Sequence, residues 1–139
     1  MKEILSNYTA YNFWANKKVL DFIDDLPKEL LDKEVSSSFR SIQKTILHIW
    51  DAELIWVSRL KGKSMDFWPS QQLDKKTSIN GLLDVSQDWV EFVQTKENNY
   101  FNQECFYKSI AGKEFSEKIH TIIMHCMNHS TFHRGQVIT

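Results

Sequence analysis

A chain of 139 residues has the length of one domain, which excludes a two-domain enzyme. Apolar types make up 42% and charged types 25%, with aromatics at 13%, an ordinary globular composition that excludes a disordered segment. Lys plus Arg is 17 against 18 for Asp plus Glu, a net charge of -1; this is too balanced to draw in a phosphate backbone or an anionic membrane, so no nucleic-acid or membrane partner is expected.

Only 4 Gly and 2 Pro occur, and such a scarcity of turn formers predicts an all-α chain of long helices. The first helix is predicted from Lys2 to Asp25, because Leu5, Tyr8, Asn12, Ala15, Val19, Phe22 and Leu26 recur at three-four spacing before Pro27 ends it. Ser36, Ser37 and Ser38 offer hydroxyls for an N-cap, and a second helix follows from Ser41 to Leu60, stopped by Lys61 and Gly62. Between Ile46 and Val57 its clearly polar positions are His48, Asp51 and Glu53, so other helices must wrap it on several sides.

Lys61 to Thr77 has no period and contains Gly62, Pro69 and Ser70, which predicts a long crossover loop whose Phe67 and Trp68 pack back onto the domain. A third helix starts near Ser78 or Asn80, turns Leu82, Val85, Trp89, Phe92 and Val93 inward, and fades at Asn98 and Asn99. Glu104 to Phe115 is read as a small hairpin about Ala111 and Gly112. The fourth helix is predicted from Ser116 to the chain end, with Ile119, Ile122, Cys126, His129, His133 and Gln136 in strict register. Cys105 and Cys126 fit no metal-ligand spacing and are too few for a disulfide framework, which points to a reducing, cytoplasmic compartment. Met1 to Asn16 has no signal-peptide core, and no apolar run is long enough for a membrane span.

The fourth helix carries the chemistry. His129 and His133 stand one turn apart on one face, and their stripe faces the interior, so two imidazole nitrogens can meet one ion. His48, on the most buried-looking helix, is the candidate third ligand. Three imidazoles with an open position suit Zn, Ni, Co or Fe(II) and suit Ca or Mg poorly. Such a site is catalytic in type, since structural zinc normally has four protein ligands. His125 repeats the same spacing from His129, but it lies about 12 Å of helix axis from His133, too far to share the ion, and is a flanking residue. His120 is read as a surface histidine. Asp51, close after His48, could fix the His48 tautomer, while Glu53 could instead ligate in a two-histidine, one-carboxylate site. Tyr8, Tyr11, Asn12 and Trp56 could line a pocket. A plainer reading also stands, in which these histidines are core or surface residues with satisfied hydrogen bonds. No phosphate loop, nucleophile elbow or marked cysteine nucleophile occurs.

Three segments together resemble the DinB-like (DinB/YfiT) family: Tyr11 to Asn16 (YNFWAN), Ser41 to Trp56 with His48 and Glu53 inside it, and Asn128 to Gln136 (NHSTFHRGQ). The likeness extends over nearly the whole chain. It implies an up-down-down-up four-helix bundle, with the long crossover joining the second and third helices, paired as a homodimer. It also implies a divalent transition metal on His48, His129 and His133, with Zn or Ni the leading choices and Fe, Co or Mn as alternatives. Relatives continue beyond the Arg-Gly-Gln segment, so a native chain longer than Thr139 is expected. The activity implied is that of the bacillithiol and mycothiol S-transferases, which join a small thiol to an electrophile, with Asp51 or Gln136 orienting ligands or substrate. Metal-assisted hydrolysis is the rival chemistry, and a non-catalytic, stress-related carrier of metal or small ligand is the rival role.

Overall fold

The computed structural model describes residues 1–138. Its first helix, α1 (Lys2–Asp24), buries Leu5, Thr9, Asn12, Ala15, Asn16, Val19 and Ile23. Phe22, expected on that face, is 45% exposed. Its neighbour Ile23 takes the inward position, because the buried stripe follows the 3.6-residue period and not a strict alternation of three and four. A short helix α2 (Lys28–Leu31) follows Pro27.

Helix α3 (Ile42–Leu60) has Ser41 as its N-cap, with the Ser41 side chain accepting the Lys44 N–H, so the predicted cap at Ser36 to Ser38 is corrected by a few residues. The serines upstream belong to a loop closed by the Val35 N–H donating to the Arg40 carbonyl at 2.9 Å. As its composition predicts, α3 is buried around most of its circumference, from Thr45 through Leu60.

The crossover is less bare than predicted. It contains a 3-10 turn at Pro69–Gln71 and the short helix α4 (Lys75–Asn80) before α5 (Leu82–Gln94). Gly81 separates the two helices, so the third predicted helix is divided and its first turn begins earlier. Of the two crossover aromatics, Phe67 is half-buried and Trp68 keeps 39% of its surface exposed. On α5 the buried set includes all of Leu82, Val85, Trp89, Phe92 and Val93, as the periodicity requires.

The hairpin is present and longer than expected. Strand β1 (Glu104–Lys108) pairs antiparallel with β2 (Glu114–Lys118), and Gly112 in the turn has φ +81, a conformation that suits glycine. Because Ser116 to Lys118 are committed to that ladder, the last helix, α6, begins at Ile119 and not at Ser116, and extends to Ile138.

The molecule is therefore a mostly helical bundle with one small two-stranded sheet. Helix α1 packs on α5 and α6, and α3 packs on α5 and α6 from the other side. The shared core is filled by Trp89, Phe101, Leu5, Ile49 and Met127, all essentially inaccessible to water. Trp89 also donates its indole N–H to the Glu53 carbonyl at 3.1 Å. No helix among the described residues is long and apolar enough to cross a membrane.

Candidate metal centre

His48, one and a half turns into α3, and His129 and His133, one turn apart on α6, come together where the two helices cross. One ligand-type atom from each residue lies within 4.8 Å of the other two. The Nε2 atoms of His48 and His129 are 2.8 Å apart. Two imidazole nitrogens on one tetrahedral zinc ion stand roughly 3.3 Å apart, so small side-chain rotations would admit an ion. His129 Nδ1 is buried without a hydrogen-bond partner.

His133 is held differently. Its Nδ1 lies 2.8 Å from Gln136 Oε1, and since an amide oxygen only accepts, Nδ1 carries the proton and Nε2 keeps its lone pair. The Gln136 amide donates in turn to Ser38 Oγ at 2.9 Å. Gln136 thus acts on His133 as an orienting group.

Burial disfavours the charged form of two of the three imidazoles, His48 and His129. The His48 pKa is pushed down to about 4, first by burial and then by His133. That of His129 is pushed down to about 3, by burial and then by His48, His133 and His125. Neutral imidazoles are the ligating form, so the donor set fits a borderline divalent transition ion.

Phe39, delivered by the loop before α3, stacks on the His48 ring at 4.0 Å and 23° and meets His133 edge-on at 5.4 Å. Trp68 of the crossover lies 6.1 Å from the His48 ring. Beside them opens a cavity of about 460 Å³, walled by Phe39, Leu47 and Trp68, with Lys44 and Asp51 among its polar groups. The sequence offered no signal for Phe39, which lies outside any helical period.

Asp51 does not orient His48. Its carboxylate accepts the Ser70 N–H at 2.8 Å and the Ser70 hydroxyl at 2.6 Å, tying the crossover to α3. Burial raises the Asp51 pKa, and the two Ser70 bonds oppose that rise. Glu53 is not brought to the triad either, because its position on α3 points into the bundle. It is fully buried, and its Oε1 accepts from Asn12 Nδ2, Asn16 Nδ2 and Ser130 Oγ, each at 2.8 Å. Its Oε2 accepts from Ser86 Oγ at 2.8 Å. Asn12, expected at a pocket, is fully buried as a member of this network. Arg134 completes it, donating to Asn12 Oδ1 and, at 2.8 Å, to Asn16 Oδ1. Asn16, Ser86, Ser130 and Arg134 were not singled out from the sequence, although Asn12 with Asn16 and Ser130 with Arg134 share the helical i,i+4 spacing. His125 is exposed, with its ring 6.3 Å from that of His129 and 5.5 Å from Trp56, a flanking position as expected. His120, read as a surface residue, is half-buried with Nδ1 2.8 Å from the Phe101 carbonyl.

Comparison with known proteins places the chain in a family. The chain is 26% identical over 146 residues to "Protein DinB" of Bacillus subtilis (strain 168), an alignment covering 99% of this chain and 84% of that protein. The sequence profile of the DinB family matches residues 1–139. A helical bundle with a histidine cluster between its helices, matched end to end by that profile, belongs to the DinB family.

Proposed function

We propose that the chain is a metal-dependent transferase that activates a low-molecular-weight thiol for conjugation to an electrophile. The observation that carries this reading is the juxtaposition of three imidazoles with an open, largely apolar cavity. In it, His48, His129 and His133 are the ligands. A divalent ion held there, Zn or Ni first and Fe, Co or Mn next, supplies the positive charge that lets a bound thiol lose its proton near neutral pH. Gln136 keeps the His133 ring in its ligating tautomer. Phe39, Leu47 and Trp68 exclude water and grip the apolar body of the electrophile. A thiol brought in from outside is needed, since burial pushes the thiols of both Cys105 and Cys126 up and away from reactivity. Their burial as free thiols also supports a reducing, cytoplasmic setting.

The reading includes the up-down-down-up helix order. In support, Tyr8 bonds Asn128 and Asn12 bonds Arg134, so α1 and α6 advance together. His48 meets His129 while Trp56 meets His125, so α3 and α6 run in opposite directions. The Lys2 N–H meets Asn98 just past α5, whereas Asn16 meets Ser86, so α1 opposes α5. It also includes a homodimer, supported by an outward stripe on α1 of Ile4, Tyr11, Trp14 and Phe22, each 45% exposed or more.

Elemental analysis of protein purified without chelator, beside His129→Ala and His133→Ala, tests the site. One equivalent of metal in the parent and none in either variant is expected. Conjugation of several thiols to chlorodinitrobenzene or monochlorobimane should then follow metal content. Metal-dependent turnover of esters or amides without thiol transfer would instead favour hydrolysis, and metal without turnover a carrier.

A further inference from the structure

Arg59, in the last turn of α3, is 8% exposed, yet its guanidinium forms no ion pair or hydrogen bond among the described residues. Its Nε is buried without a partner. Buried arginines are ordinarily matched by a carboxylate or by carbonyls, because stripping water from five N–H donors is costly unless they are satisfied. Here the plane is clamped by rings instead. Its central carbon lies 4.4 Å from the Trp56 ring and 4.8 Å from the Tyr107 ring of β1. Cation–π contacts stabilise the charge but use none of the N–H donors. The fork is therefore held in place with its hydrogen-bonding capacity unspent, as in a preorganised receptor.

The surroundings fit an anion. No carboxylate contacts this guanidinium among the described residues, and the next polar side chain along the ring path is His125, exposed and 5.5 Å from Trp56. The Cys105 thiol is occupied, donating to the Arg59 carbonyl at 3.5 Å. Burial lowers the Arg59 pKa, opposed by the Tyr107 phenol and the Cys105 thiol and by no carboxylate.

We propose that Arg59, clamped between Trp56 and Tyr107, is an oxyanion-binding site that takes a carboxylate or phosphate group of a small ligand, with His125 at its rim. Planar guanidinium pairs bidentately with either oxyanion, which a lysine ammonium cannot do. The site does not depend on the metal reading. If that reading also holds, Trp56 and His125 form a ring path from Arg59 to His129. His48 and Arg59 are separated by roughly 16 Å of helix axis, so one ligand serving both sites must be extended, with its oxyanion well removed from its reacting atom.

The test is an NMR titration of the full 15N-labelled chain with sodium acetate and with inorganic phosphate at constant ionic strength. It is run with and without one equivalent of Zn, reading the Arg59 Nε–H and the Trp56 indole N–H. Saturable shifts of both signals are expected for at least one oxyanion, with or without Zn, and the anion that saturates identifies the source. Arg59→Lys, which keeps the charge and the alkyl stem, should weaken binding about tenfold or more in a variant whose amide spectrum is still that of the folded chain. Linear shifts matching those from chloride overturn the proposal. So does Arg59→Lys binding as tightly as the parent. Shifts at His129 and His133 that need Zn, without shifts at Arg59, mean that the anion sits on the metal, which overturns the Arg59 site and leaves the metal reading intact. Should the variant not fold, the parent titration decides by itself.

Discussion

His133 and Gln136 show how much a single side chain can settle. The amide oxygen of Gln136 selects one tautomer of His133, and the amide nitrogen is itself anchored on Ser38. Gln136→Ala should therefore leave the fold intact but weaken metal binding about tenfold to a hundredfold, measured by competition with a chromophoric chelator. The other two imidazoles carry a pH signature. Their folded pKa values, about 4 for His48 and about 3 for His129, lie below the ordinary 6.5, so between these limits the unfolded chain binds more protons. Stability of the chelator-treated protein is then level above about pH 6.5 and falls as pH drops below it. Urea midpoints at pH 7.5 and pH 5 check the sign, and His129→Gln should reduce the drop. Each residue of the triad was legible from spacing and resemblance. Phe39 and Ser38 were not, because a loop carries them to the histidines and loops have no period.

At the level of elements, the bundle is joined by one buried polar network as well as by its apolar stripes. Glu53 of α3 is bonded by Asn12 and Asn16 of α1, Ser86 of α5 and Ser130 of α6, so one carboxylate meets every long helix. Removing it leaves the Asn12 and Asn16 amides and the Ser130 hydroxyl without their shared acceptor and takes away the negative charge that Arg134 feels. Glu53→Ala should destabilise the protein by about 3–5 kcal/mol in urea denaturation, far beyond an exposed Glu→Ala such as Glu91→Ala on α5. The network also accounts for the misplacement of Glu53 as a possible ligand. Composition places an acid on a buried helix, but only the packing angle decides whether it faces a metal or a neighbouring amide. Helix limits show the same division. The stripe of α5 and the first half of that of α6 could be read directly, but further along α6 Ser130, Arg134 and Val137 are buried while His129 and Gln136 are half-buried, and the start of α6 depended on β2 claiming Ser116 to Lys118 for its ladder.

For the whole molecule, the outward stripe of Ile4, Tyr11, Trp14 and Phe22 lies on the side of α1 away from its buried face. Under the homodimer proposal, Trp14→Glu should convert a dimer to a monomer in size-exclusion chromatography with light scattering, with little change in helical content. A parent that elutes as a monomer would remove that part of the proposal.

By itself the sequence determined the helical class, the long helices, the hairpin, the triad histidines and the family, because each depends on local spacing, on turn residues or on motifs that survive in one dimension. The tertiary structure alone decided that Asp51 belongs to Ser70, that Glu53 and Asn12 belong to an interhelical network, and that Arg59 is caged by rings without an acid. Those assignments join residues distant in sequence. A buried polar group takes whichever partner packing brings within hydrogen-bond reach, and no periodicity records that choice.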